Sequence, residues 1–174
     1  MKARVVFIGP MASGKTKIAK RVASLMGVSR LDTDKMVVAE HGPIAEIFAN
    51  QGEPFFRACE EDAVARALDE AEVVSLGGGA VLSKRTQQLL RLAHVVYLTV
   101  SPEAVAQRIA GGKRPLLADG MESWNRIFGE RKHIYEELAN ITFDTSHGRL
   151  DDIATSVVAW IKSNYSVSAD GESS

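Results

Sequence analysis

Cysteine is nearly absent: Cys59 is the only one in 174 residues. No intramolecular disulfide can form, which agrees with a reducing compartment. Charge of one sign is not in excess either. Lys and Arg number 21 against 22 Asp and Glu, for a net charge of -1, so the basic surplus of a nucleic-acid binder is missing. No apolar run approaches the ~20 residues that a membrane helix needs. The run Val5–Ile8 is too short for a signal-peptide core, and a glycine loop follows it at once. The expectation is a soluble, cytoplasmic, monomeric protein with no nucleic-acid or membrane partner. His41, His94, His133 and His147 share no metal-ligand spacing with Cys59. No internal repeat occurs, and low complexity is confined to 166–174, expected to form a flexible tail.

What is present reads as one domain over 1–165. Hydrophobic residues at 45% and charged residues at 25% are ordinary globular values, which argues against disorder. Short apolar runs alternate with amphipathic stretches. Strands are expected at Ala3–Ile8, Val28–Leu31, Val73–Leu76, Val95–Val100 and Ile141–Asp144. Helices are expected at Lys15–Met26, Lys35–Asn50, Glu53–Glu70, Lys84–Leu92, Pro102–Ile109, Met121–Ala139 and Leu150–Ser163. Trp124 and Trp160 fall in helical stretches and read as packing residues. Alternating strands and helices imply an α/β fold, a five-stranded parallel sheet covered on both faces. Ligands of such sheets sit at the C-terminal ends of the strands.

The segment Gly9-Pro-Met-Ala-Ser-Gly14-Lys15-Thr16 fits G-x-x-x-x-G-K-[ST], the phosphate-binding P-loop. Glycines let backbone N–H groups wrap a phosphate, Lys15 can reach β- and γ-oxygens, and the Thr16 hydroxyl can ligate Mg²⁺. A strand before it and a helix after it supply the required context, so a nucleoside triphosphate is the expected ligand. Asp32-Thr33-Asp34 closes the second strand, and extended alternation would put both carboxylates on one side. One could hold Mg²⁺ while the other accepts a hydrogen bond from an attacking hydroxyl. Helix capping at Lys35 is the competing reading of this pair. Arg57 and Glu60 share a helix face. Taken alone, Arg57 reads as a surface ion-pair residue.

Seven pieces in fixed order resemble the shikimate kinase family. They are the P-loop, Asp32-Thr-Asp34, Ile44–Phe48, Gly52–Glu60, Gly77-Gly-Gly-Ala-Val81, Lys113-Arg-Pro-Leu-Leu117, and Arg131 followed by Tyr135-Glu-Glu. The resemblance covers about 1–145. It implies a three-layer α/β/α P-loop kinase similar to nucleoside monophosphate kinases, with substrate-binding helices over about 35–70 and a mobile lid over about 111–120. It implies transfer of the ATP γ-phosphoryl group to the 3-hydroxyl of shikimate, on the route to chorismate and the aromatic amino acids. Lys15, Asp34 and Arg114 would be catalytic. The nucleotide would meet Ala12, Ser13, Gly14, Lys15, Thr16, Lys17, Arg108, Arg114 and Arg149. Asp34, Arg57, Gly77, Gly78, Gly79 and Arg131 would hold shikimate, and Thr16 with Asp32 would serve Mg²⁺. Arginine's planar fork suits the shikimate carboxylate. Gly111-Gly112 would give the lid a flexible entry, with Pro115 holding Arg114 extended.

The sequence departs from the family at Pro10, Ala12 and Lys17 in the loop, and loosely at Thr145–Arg149. A related kinase acting on gluconate, a nucleotide or an antibiotic hydroxyl is the alternative. So is a nucleotide-binding module without catalysis, although intact Lys15, Asp34 and Arg114 count against it.

Overall fold

A computed structural model describes residues 1–110 and 120–165. The expected lid, with Arg114, lies outside the described residues apart from Gly120, as does the tail at 166–174. Five strands form one parallel sheet: β1 (Val5–Ile8), β2 (Arg30–Asp32), β3 (Val73–Ser75), β4 (Val95–Thr99) and β5 (Ile141–Asp144). Their order across the sheet is β2-β3-β1-β4-β5. From β1 the chain goes to the edge strand β2, returns inward to β3, then crosses over β1 to β4 and β5, so the direction of strand addition switches beside β1. A crevice opens at such a point beyond the strand C-termini.

Helices cover both faces: α1 (Lys15–Met26), α2 (Thr33–His41), α3 (Ile44–Gln51), α4 (Glu53–Glu70), α5 (Lys84–Leu90), α6 (Pro102–Ala110), α7 (Met121–Leu138) and α8 (Leu150–Tyr165). Alternation along β1 divides the core. Val6 and Ile8 face one layer with Val64 and Leu68 of α4, Leu90 of α5 and Tyr135 of α7. Val5 and Phe7 face the other with Ile18 and Val22 of α1 and Val157 and Ile161 of α8. A strand apolar on both sides has no water-facing position, which is why β1 is a continuous apolar run.

Two expectations need correction. The helix expected over Lys35–Asn50 is two helices, α2 and α3. Gly42 takes φ 87, outside the helical region, and Pro43 has no N–H to continue the ladder. Asp34 does not continue an extended strand either. It lies in the first turn of α2, whose N-cap is Asp32.

Candidate active site

The P-loop runs from β1 into α1. Gly14 stands at the helix N-cap with φ 90, and Ala12 is left-handed at φ 67. A left-handed L-residue costs on the order of 1 kcal/mol. The surroundings hold it there. Ala12 packs with Val100, Ala104, Val105 and Trp124, and its carbonyl accepts from Arg108 Nη1 at 2.6 Å. Lys15 Nζ donates to the Gly9 and Pro10 carbonyls, each at 2.8 Å, and so spans the loop. Trp124 Nε1 donates to the Met11 carbonyl at 2.9 Å.

The loop is also tied from below. Thr145 Oγ1 donates to the Ser13 carbonyl at 2.7 Å, and Arg108 Nη2 donates to the Thr145 carbonyl. Burial pushes the Arg108 guanidinium pKa down, opposed by Asp144. The Ser13 side chain is turned inward, its Oγ buried without a partner among the described residues, so only its backbone can face a phosphate. Lys17 is exposed and lines the cavity mouth. Arg149, just before α8, is 80% exposed and 3.9 Å from Asp151, and Leu150 lines that end of the cavity.

At the C-terminus of β2, Asp32 is 8% exposed. Its Oδ2 accepts from Thr16 Oγ1 at 2.9 Å and its Oδ1 from the Lys35 N–H at 3.2 Å. One side chain therefore both caps α2 and ties it to the P-loop hydroxyl. Thr33 Oγ1 accepts from the Gly77 N–H at 3.2 Å, joining α2 to the glycine turn after β3.

The glycine turn is shaped by its neighbours. A Cβ on Gly77 would stand 3.0 Å from the Asp34 carboxyl carbon, and one on Gly79 would stand 2.6 Å from Arg57 Nη2. One on Gly78 would lie 3.7 Å from Arg131 Nη1. The absence of side chains here lets Asp34, Arg57 and Arg131 close on the turn. Arg57 Nη1 pairs with Glu60 at 2.7 Å, and Glu60 is 3% exposed. Burial pushes the Glu60 pKa up against the pull of Arg57. Asp34 is also raised, first by burial and then by Asp32, while Lys15 and Arg57 pull it down.

The P-loop, the glycine turn and the side chains around them line one cavity of about 1170 Å³. Lys15, Thr16, Lys17 and Arg108 stand on the P-loop side, and Asp34, Arg57, Gly77–Gly79 and Arg131 on the other. Ile44, Phe48 and Phe56 form an apolar wall. Trp124, read from sequence as packing, packs and also lines the cavity. Nothing in its local pattern could have linked it to Met11, 113 positions away.

The profile of the shikimate kinase family matches residues 11–162. The chain belongs to the shikimate kinase family. It is 39% identical over 150 residues to the shikimate kinase of Rhodococcus jostii, covering 83% of this chain and 89% of that one. It is 43% identical over 151 residues to that of Mycobacterium avium, covering 84% and 86%. Among solved structures, the shikimate kinase of Acinetobacter baumannii in complex with shikimate superposes with a TM-score of 0.84 at 28% identity, covering 94% of each chain. A gluconokinase from Sinorhizobium meliloti shares the fold, with a TM-score of 0.61 at 18% identity over 93% of each chain.

Proposed function

We propose that this chain transfers the γ-phosphoryl group of ATP to the 3-hydroxyl of shikimate, giving shikimate 3-phosphate and ADP. The observation that carries this is the placing of Asp34, Arg57 and Arg131 around a side-chain-free turn, opposite a P-loop in one cavity. Arg57 and Arg131 would grip the shikimate carboxylate, and the turn's N–H groups and Asp34 would orient its hydroxyls. Asp34 accepts the proton of the 3-hydroxyl as its oxygen bonds the γ-phosphorus. The bond from that phosphorus to the β,γ-bridging oxygen breaks, and ADP leaves. Lys15 and the N-terminus of α1 stabilise the charge that develops on the phosphates, and Arg114 joins them in this reading.

Mg²⁺ fits the donors present. Thr16 and Asp32 offer a hydroxyl and a carboxylate 2.9 Å apart, the hard oxygen set that leaves room for water and phosphate ligands. Among the described residues no cluster of three or more His, Cys, Asp or Glu gathers to cage a metal. When bound, the ion would neutralise phosphate charge. The proposal places the enzyme in the cytoplasm as a monomer, which light scattering tests.

The deciding experiment is ADP release with Mg-ATP across shikimate, gluconate and nucleoside monophosphates. Turnover well above background with shikimate alone is expected. Turnover with another acceptor and none with shikimate would overturn the reading.

A further inference from the structure

Tyr135 lies in the last part of α7, four residues after Arg131, and is 0% exposed. Residues four apart on a helix share a face. Its ring stacks on Tyr97, with centroids 5.3 Å apart. Its hydroxyl donates to the carbonyl of Gly78 at 2.6 Å. One buried hydroxyl therefore reaches the glycine turn of the acceptor side from the helix that carries Arg131.

The peptide linking Gly78 to Gly79 is planar and trans, so the Gly78 carbonyl and the Gly79 N–H point in opposite directions. Tyr135 fixes the direction of the carbonyl, and the N–H must face the other way. Gly79 lines the cavity next to the Arg57 guanidinium. The Gly77 N–H is engaged by Thr33 Oγ1. The Gly79 N–H has no acceptor within the protein among the described residues and is free to donate. Glycine backbone is intrinsically loose, so something must fix the orientation of this peptide. The 2.6 Å bond from a buried, stacked ring does so.

We propose that Tyr135 is a positioning residue of the acceptor site: its hydroxyl locks the Gly78 carbonyl, which holds the Gly79 N–H toward bound shikimate beside the Arg57 guanidinium. This rests on the shikimate reading above. Burial pushes the phenol pKa up to about 12, so the hydroxyl remains a donor across the working pH range and its effect is flat in pH.

Tyr135→Phe keeps the ring and the stack and removes only the hydroxyl. Steady-state kinetics should show KM for shikimate raised about tenfold, with kcat and KM for ATP within about twofold, equally at pH 6 and pH 9. Tyr97→Phe is the control. It removes a hydroxyl from the same stack, one that donates to Thr99 at 3.2 Å, and should leave KM for shikimate unchanged. An unchanged KM for shikimate in Tyr135→Phe, or an equal rise for both substrates, would overturn the proposal. A measurement on the unmodified chain guards against a variant that does not fold. The amide proton resonance of Gly79 should move when shikimate is added and stay when ADP is added; no movement with shikimate overturns the proposal. Wild-type turnover with shikimate tests the underlying reading separately.

Discussion

Asp34 carries two demands that oppose each other. Burial and neighbouring Asp32 raise its pKa from the ordinary 3.8, and Lys15 and Arg57 only partly restore it. A carboxylate with a raised folded pKa holds a proton that the unfolded chain has released. Its contribution to stability is therefore full below the ordinary value and is lost as pH rises through the folded one. Ionisation of Asp34 therefore costs stability, and in the proposed reaction the ionised form is the proton acceptor. Asp34→Asn is expected to raise the melting temperature at pH 7–8 and to lower kcat by about 10²–10⁴. The acid limb of kcat/KM for shikimate should lie above the ordinary carboxylate range. Calorimetry and a pH–rate profile check both parts. A lower melting temperature in the variant would contradict the electrostatic account, and undiminished kcat the role as base.

At the scale of elements, the turn after β3 separates backbone from side-chain requirements. Gly79 has φ −92, which any residue adopts, so the backbone does not demand glycine there. The Arg57 guanidinium does, because it occupies the place of a Cβ. Gly79→Ala should fold with a melting temperature within about 2 °C of wild type, since the displaced atoms end a flexible side chain. It should lower kcat/KM for shikimate by about 10²-fold and leave KM for ATP unchanged. Equal losses for both substrates would place the turn elsewhere in the reaction.

Those elements differ in how readable they are. The central strands β1, β3 and β4 could be read because they are buried on both faces and so written as short, mainly apolar runs. The break between α2 and α3 is also written locally, in Gly42-Pro43, but the apolar spacing around it masks it. Strand order could not be read, because no local pattern records which strand lies beside β1. The same holds within the site. The P-loop is contiguous, and its chemistry is visible in eight residues. Thr145 and Trp124 bond the loop from 132 and 113 positions away, and long-range pairs leave no local signal.

Across the whole molecule, the sheet brings two recognition surfaces to one cavity of about 1170 Å³. That is at the upper end of single-ligand pockets, which run about 300–1,000 Å³, and suits two substrates side by side. In the proposed reaction the nucleotide would meet the loop after β1 and α6, and the acceptor would meet α2, α4, the turn after β3, and α7, all of which line the cavity. Because the two share few side chains, their binding free energies should be separable. A ligand at 100 times its Kd stabilises the native state by about 2.7 kcal/mol. For a chain of 174 residues that corresponds to a rise of about 5–10 °C in melting temperature. Mg-ADP and shikimate should each give such a rise. Arg57→Ala should abolish the rise with shikimate and keep that with Mg-ADP, and Lys15→Ala should do the reverse. Chelating Mg²⁺ should shrink only the nucleotide response, because Thr16 and Asp32 lie on that side alone. Loss of both responses in either variant would mean that the two surfaces fold as one unit, and that the division of the cavity into two sites is wrong.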